Sequence, residues 1–204
     1  MAKKYLCFDL NALAEPTKYM LHYAGQQFED VQYELKKWPI QSVKDWLPYG
    51  QFPLYEEGGK TLNQSFAIAR YIASQTNLLP TDAWEQAELD AVVGNLYDFW
   101  SKIPPFIREK DLAKREIIKR EILESHVNFY FSRLEKELLK NGGHFAKKLS
   151  WADFVLLGLV EGVRIFIGVE IQKPYPNVNK LVDELRELPG VKEYLAKRTH
   201  LSFL

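Results

Sequence analysis

The segment from residue 50 to residue 72 constrains the fold of this chain more than any other part of it. Residues 54–55 and 60–62 predict two short strands, joined across the turn-forming run Glu56-Glu57-Gly58-Gly59. A helix then begins at Ser65 and carries an apolar stripe at Phe66, Ile68, Ala69 and Ile72. Serine is a favoured N-cap residue, so we expect Ser65 to cap this helix. A hairpin followed directly by a helix predicts an α/β unit.

The two ends of this segment favour binding of a small acidic peptide. The first amides of a helix lack intrahelical partners and lie at the positive end of its dipole, so the Ser65 end predicts an anion site. Pro53 has no N–H and belongs to the residue type that accepts a cis peptide bond. A cis bond would leave the backbone of Phe52 free to pair with an extended peptide. From these residues alone, an ordinary hairpin and capped helix is an equally good interpretation.

Composition excludes several classes of protein. The chain has 204 residues, and its hydrophobic content of 47% and charged content of 26% are ordinary for a soluble globular protein. Lysine plus arginine and aspartate plus glutamate number 27 each, so no net field favours nucleic acid or an anionic membrane. Cys7 is the single cysteine, which excludes an internal disulfide framework and favours the cytoplasm. No apolar run reaches the length of a signal peptide core or a membrane span.

The first third of the chain predicts a thioredoxin-like α/β domain over residues 1–76. Residues 5–8 form a short apolar strand, and residues 11–23 form a helix that accommodates Pro16 in its first turn. On this helix we expect Leu13, Tyr19, Met20 and Tyr23 to face inward. Residues 28–35 alternate between apolar and polar types, as a half-buried strand does. A β-α-β unit followed by a hairpin and a helix is the element order of a thioredoxin-like fold.

Residues 77–83 predict a linker, and residues 84–204 predict an all-α domain. Long helices are expected over residues 84–100 and 113–139, the first ended or kinked by Pro104-Pro105 and the second ended by Gly142-Gly143. Ser150 and Asp153 form a capping box at the start of a buried helix, which we interpret as a structural element. Two shorter helices are expected over residues 177–187 and 191–198.

Several local patterns, in the same order, resemble the cytosolic glutathione transferases, and most closely their sigma class. They are Ala14-Glu15-Pro16, Trp38-Pro39, residues 48–53, Gln64-Ser65, residues 150–154 and the closing Ala196-Lys-Arg198. The sigma class includes insect and nematode transferases, haematopoietic-type prostaglandin D synthases and S-crystallins. The resemblance implies a thioredoxin-like domain joined to a helical domain, and a role in detoxification.

The resemblance also implies a set of glutathione-binding residues. Trp38 and Lys44 fall where the family contacts the glycyl carboxylate, and Gln64 with Ser65 falls where it holds the γ-glutamyl end. Phe52, before Pro53, falls where the family pairs with the cysteinyl backbone, and Gln51 precedes it in the same signature. Asp98 matches an acid that the partner subunit contributes, which implies a homodimer. Without the family, Trp38 and Lys44 would be read as surface residues.

The chain departs from the family at the catalytic tyrosine, because Cys7 occupies that position. The family tyrosine donates a hydrogen bond to the glutathione sulfur and so favours the nucleophilic thiolate. A cysteine S–H is a weak donor on a short side chain, so we expect poor conjugation of the usual kind. Tyr5 is the alternative donor, since residues i and i−2 share one strand face, but it starts about 6.6 Å away along the strand. A core aromatic is the better interpretation of Tyr5.

The resemblance predicts an apolar pocket for the second substrate, between the two domains. Its expected lining is Phe8, Leu13, Tyr97, Trp100, Phe106 and Leu204. Such a pocket suits a small lipophilic ligand, although the same residues could simply pack the two domains together. Gly94 and Tyr97 replace two acids of the interfacial metal site of the prostaglandin synthases, so we expect no metal.

Three functions remain open at this point. The first is a glutathione transferase or isomerase with atypical activation of the thiol. The second is thiol–disulfide chemistry, in which Cys7 forms a mixed disulfide with glutathione. The position of Cys7 at a strand end, rather than at a helix start, argues against it. The third is a non-catalytic protein that retains the glutathione site.

Overall fold

The computed structural model describes residues 2–10 and 12–198. Its N-terminal part is a four-stranded sheet with the order β2-β1-β3-β4, made of β1 (Lys3–Phe8), β2 (Glu29–Tyr33), β3 (Leu54–Glu57) and β4 (Lys60–Asn63). β1 runs parallel to β2 and antiparallel to β3, and β3 runs antiparallel to β4. Three helices accompany the sheet: α1 (Glu15–Tyr23), α2 (Gln41–Trp46) and α3 (Ser65–Gln75). The prediction of a thioredoxin-like α/β domain is confirmed.

The hairpin forms as predicted, but the helix after it begins differently. Gly58 and Gly59 both have positive φ, 58° and 77°, as a two-residue turn matching the twist of its strands requires. Ser65 is the first helical residue, not the N-cap. Gln64 takes the cap position with φ 72°, and its side chain makes no capping hydrogen bond. The expectation that Ser65 caps α3 was therefore wrong, because the chain turns into the helix one residue earlier.

β1 separates two apolar layers. Tyr5 and Cys7 are buried in the main core with residues of α1 and α3, whereas Leu6 packs in a smaller cluster with Leu47 and Leu54. This alternation follows from the period of two along a strand. In α1, Tyr19 and Met20 are buried as predicted, but Tyr23 is 37% exposed because it ends the helix. The helix begins at Glu15, four residues later than predicted.

The rest of the described chain is helical, as predicted. The helices are α4 (Ala83–Trp100), α5 (Ile103–Arg108), α6 (Leu112–Glu121), α7 (Val127–Lys140), α8 (Trp151–Ile167), α9 (Pro176–Glu187) and α10 (Val191–Lys197). Pro104 and Pro105 lie in the first turn of α5, where a missing N–H costs nothing, so they begin a helix rather than only ending one. A π-helical turn, Ile122–His126, interrupts the predicted helix over residues 113–139. No helix among the described residues is long and apolar enough to cross a membrane.

Helix α8 joins the two parts of the molecule. Ser150 and Asp153 form the predicted capping box at its start, and almost every residue of the helix is buried. Gly158 allows close contact with α1, since a Cβ there would lie 2.7 Å from Cγ of Pro16. Gly190, with φ 80°, lies so close to the carbonyl of His22 that a side chain would overlap it. These two glycines let α8 and the start of α10 pack directly on α1.

A buried ionic network reinforces this junction. Arg198 donates to Glu15 of α1 at 3.0 Å and also pairs with Glu161 of α8. All three side chains are at most 3% exposed. Tyr194 donates to the same Glu15 carboxylate at 3.0 Å. This network fixes Arg198, directly after α10, to the start of α1 and to α8.

Candidate functional site

The register of the strands brings three parts of the chain to one edge of the sheet, the edge at which the strand β1 ends. Leu54, the first residue of β3, pairs with Leu6 of β1 on one side and with Asn63 of β4 on the other. The end of β1, the residues before β3 and the start of α3 therefore meet at the same end of the sheet. Phe52 lies two residues before this row, outside the strand ladder.

An aromatic group lies at this edge. The ring of Phe8 meets the rings of Trp38 and Phe52 edge-on, with both centroids 5.2 Å away. Trp38 and Phe52 are 5.5 Å apart, and Tyr33 stacks on the other side of Phe52 at 4.7 Å. Trp38 follows a short 3₁₀ turn after β2, and the Trp38–Pro39 and Phe52–Pro53 peptide bonds are both cis. The half-buried Trp38 indole is thus held against the rings of Phe8 and Phe52.

The predicted lysine and glutamine lie next to this group. Lys44 is in α2 and is exposed, and its stem lies across Gly50: a Cβ on Gly50 would be 3.2 Å from Cγ of Lys44. Gly50 has φ 61°, so a side chain there is disfavoured both by its backbone and by this contact. Gln51 is exposed directly after it. One cationic side chain therefore lies across Gly50, two residues before Phe52.

The start of α3 forms the opposite border. The Ile68 N–H bonds to the Gln64 carbonyl at 2.9 Å, so the amides of Ser65, Phe66 and Ala67 precede the first helical bond and face outward along the axis. Gln64 is exposed in a left-handed conformation, which is uncommon for a residue with a side chain. The Ser65 hydroxyl is buried and accepts a hydrogen bond from Tyr97 of α4 at 3.0 Å. Amide donors and a hydroxyl at a positive helix end can bind a carboxylate.

Cys7 is buried on the other side of β1 from Phe8. It is 1% exposed, and its S–H group lies 3.9 Å from a carboxylate oxygen of Asp30. Lys18, itself 2% exposed, pairs with the same carboxylate at 2.8 Å. Burial raises the pKa of the Cys7 thiol to about 12, against the opposing effect of the Lys18 ammonium. Cys7 is therefore a neutral thiol at physiological pH.

Tyr5 is fully buried two residues earlier on the same face. Its hydroxyl donates to the carbonyl of Ala14, just before α1, at 3.3 Å. Burial raises the pKa of Tyr5 well above the ordinary value near 10. In this geometry the hydroxyl is directed at a backbone acceptor inside the core.

Three of the residues predicted to line the substrate pocket come together between the domains. Leu13, Tyr97 and Trp100 border a small cavity of about 10 Å³, completed by Ala12, Pro16, Leu96, Val155, Gly158 and Leu159. That volume is close to the minimum for one water molecule. Phe8 is not in this lining because it packs with Trp38, and Phe106 lies under the guanidinium of Arg115 at 4.5 Å. Leu204 lies outside the described residues.

Asp98 is the last of the residues predicted to bind glutathione, and the prediction of no metal concerns the same helix. Asp98 is exposed on α4, and it follows Tyr97, which faces Ser65 of its own chain. Among residues 2–10 and 12–198, no group of three or more histidine, cysteine, aspartate or glutamate side chains is arranged to hold a metal ion.

Sequence reasoning missed two features of this region. The Lys18–Asp30 pair beside Cys7 joins α1 to β2, and the hydrogen bond from Tyr97 to Ser65 joins residues 32 positions apart. Lysine in the middle of a helix and tyrosine on an apolar face are both ordinary patterns. A lysine is rarely fully buried unless it pairs with an acid, so a partner could be expected for a buried Lys18. That this partner is Asp30 follows only from the packing of α1 on the sheet.

The chain is similar to known proteins both in sequence and in structure. The family model "Glutathione S-transferase, N-terminal domain" matches residues 4–74, and "Glutathione S-transferase, C-terminal domain" matches residues 97–198. A glutathione S-transferase of Anopheles gambiae is 32% identical over 196 residues, covering 96% of each chain. Prostaglandin synthase D of Nilaparvata lugens superimposes with a TM-score of 0.90 at 33% identity, over 98% of this chain and 99% of that one. A monomeric glutathione S-transferase of the hookworm Necator americanus gives 0.86 at 27% identity, over 100% of both chains.

Proposed function

The chain belongs to the glutathione S-transferase family and is a glutathione-dependent transferase or isomerase, and we propose that it is a sigma-class-like enzyme acting on small lipophilic electrophiles. We place it in the cytoplasm as a homodimer. Glutathione is its co-substrate, as in the rest of the family.

The convergence at one sheet edge is the observation that carries this proposal. Glutathione is an extended tripeptide with a carboxylate at each end, and the edge offers a matching sequence of groups. Trp38 and Lys44 would hold the glycyl carboxylate, and the Phe52 backbone, outside the ladder that begins at Leu54, would pair with the cysteinyl residue. Gln64 and Ser65 would hold the γ-glutamyl end at the start of α3.

We propose that the bound thiol is little activated. Cys7 occupies the position of the family tyrosine, but it is a buried neutral thiol that cannot act as a strong donor. The Tyr5 hydroxyl already donates to Ala14 within the core. Within residues 2–10 and 12–198, the activating groups that we propose are the amides at the start of α3, together with water. Conjugation should therefore be slow at neutral pH and should rise towards the pKa of a free thiol, about 8.5.

Titration calorimetry with glutathione, followed by a conjugation assay with a chlorodinitrobenzene electrophile, tests this function. We expect binding of glutathione, and a conjugation rate that increases about tenfold per pH unit below about pH 8.5, because only the thiolate reacts. A wild-type protein that fails to bind glutathione would overturn the proposal. Binding with no turnover of any electrophile at any pH would support the non-catalytic alternative instead.

The second substrate needs more room than the cavity between Leu13 and Trp100 provides. A cavity of about 10 Å³ holds no organic molecule, whereas small-ligand pockets measure about 300–1,000 Å³. We propose that the ligand separates Leu13, before α1, from Trp100 on α4. Both side chains border the cavity, so a ligand that enters between them would contact both.

The homodimer places Asp98 of one subunit near the γ-glutamyl amine bound by the other. Its exposure on α4, next to Tyr97, is consistent with a role outside its own subunit. We expect Asp98→Asn to weaken glutathione binding severalfold while leaving a dimer in analytical ultracentrifugation. A monomeric wild-type protein that binds glutathione normally, like the monomeric hookworm relative in its assembly, would overturn this assignment.

A further inference from the structure

We infer that Tyr97 is a positioning residue for glutathione, acting through Ser65, and this inference rests on the proposed function. The Tyr97 hydroxyl donates to Oγ of Ser65 at 3.0 Å, across the boundary between α4 and α3. Ser65 is the first residue of α3 and is 7% exposed. The contact therefore holds the Ser65 hydroxyl at the start of α3.

A bound anion would fix the direction of the hydrogen bond between Tyr97 and Ser65. A serine hydroxyl has one proton and can both accept and donate. If Ser65 donates its own proton to a bound anion, the proton between the two oxygens must come from Tyr97. The adjacent amides at the start of α3 favour an anion there, so that acceptor is a carboxylate. Under the proposed function it is the α-carboxylate of the γ-glutamyl residue.

Two hydroxyl groups that donate hydrogen bonds in series to an anion bind it more strongly than the two separate hydrogen bonds would. Each donor polarises the next, so Tyr97 strengthens the hydrogen bond that Ser65 gives to the carboxylate. The Tyr97 ring is held for this role, since it meets the ring of Phe66 at 6.0 Å and borders the small cavity with Leu13 and Trp100. Tyr97 therefore connects the glutathione site to the surface that the second substrate would contact.

Glutathione affinity in a double-mutant cycle tests this role. We expect Tyr97→Phe to raise the Kd, and the KM for glutathione, about three- to tenfold with kcat nearly unchanged, as loss of one hydrogen bond to a bound anion predicts. In the Ser65→Ala background, Tyr97→Phe should have no further effect on the Kd. Tyr71→Phe is the matched control, because it removes a hydroxyl from α3 that donates to Glu57 at 2.9 Å, away from the site.

The outcomes separate this inference from the function on which it rests. An equal loss of affinity in both backgrounds would mean that Tyr97 only packs the two domains together, and would overturn the inference. An unchanged Kd in Tyr97→Phe, with normal binding by the wild type, would also overturn it and leave the proposed function standing. Absence of glutathione binding by the wild type would overturn both.

Discussion

Cys7 and Phe8 are neighbours in β1, but their side chains lie on opposite faces of the sheet. Cys7 is enclosed beside Lys18 and Asp30, whereas Phe8 packs edge-on against Trp38 and Phe52. The edge that we propose binds glutathione is thus bordered from β1 by an aromatic ring without a hydroxyl, and the only thiol of the chain points into the core. In this enzyme, two of the groups that we propose bind glutathione, Trp38 and Phe52, are therefore on the other face of the sheet from the residue at the position of the family tyrosine.

The indole of Trp38 should contribute to binding through its N–H group. Trp38→Phe keeps an aromatic ring against Phe8 and Phe52 but removes the donor proposed for the glycyl carboxylate. We expect the Kd for glutathione to rise about five- to tenfold, which corresponds to a hydrogen bond of about 1 kcal/mol. Titration calorimetry measures it. The matched control is Trp46→Phe in α2, where the indole is 53% exposed; equal losses in the two variants would contradict the assignment.

Cys7 should not exchange with disulfides in the native protein. A thiol that is 1% exposed and has a pKa of about 12 supplies almost no thiolate at neutral pH, and the thiolate is the attacking species. After incubation with oxidised glutathione, mass spectrometry should find native protein of unchanged mass. The same protein unfolded in guanidinium should gain one glutathione. Modification of the native protein would instead support thiol–disulfide chemistry through Cys7.

Arg198 should be required for stability, since it bridges two buried carboxylates. Arg198→Met keeps most of the apolar stem but leaves Glu15 and Glu161 without their shared guanidinium, so we expect a loss of about 3–5 kcal/mol in the free energy of unfolding. Urea denaturation measures it. Arg164→Met is the control: Arg164 pairs with the same Glu161 at 2.9 Å but is 42% exposed, and about 0–1 kcal/mol is expected.

The same network predicts how stability depends on pH. Burial disfavours the charge on Glu161, but Arg186, Arg198 and Arg164 outweigh it and hold the pKa of this carboxyl below its ordinary value of 4.5. A carboxyl with a depressed folded-state pKa contributes stability that is present above about pH 4.5 and is lost as the pH falls through the folded-state pKa. The free energy of unfolding should therefore fall more steeply in acid for the wild type than for Glu161→Gln. Parallel profiles would contradict this.

The sequence predicted those features that depend on local pattern. Gly58-Gly59, the capping box of Ser150 and the run of helices after residue 83 follow from turn chemistry and periodicity, which act within a few residues. The N-cap of α3 was assigned one residue late, because Gln64 adopts a left-handed conformation that glutamine itself does not favour.

Features that depend on packing between distant segments could not be predicted. The contact from Tyr97 to Ser65 and the enclosure of Cys7 by Lys18 and Asp30 require the relative positions of helices and strands. No local pattern in the sequence predicts how these helices and strands lie relative to one another. The interdomain cavity is a similar case. Leu13 and Trp100 were predicted to line one pocket, but the volume of that pocket depends on how closely Gly158 lets α1 approach α8.

The ultraviolet difference spectrum of bound glutathione, titrated with pH, tests the central claim most directly. For the wild type we predict binding without a thiolate band until the pH approaches the pKa of a free thiol, about 8.5, and the same behaviour for Tyr5→Phe. In Cys7→Tyr, which puts a hydroxyl at the position matched to the family tyrosine, a band at lower pH would mean that a longer side chain there reaches the bound sulfur. A wild-type band well below about pH 8.5 would contradict the claim, and its loss in Tyr5→Phe would identify Tyr5 as the donor.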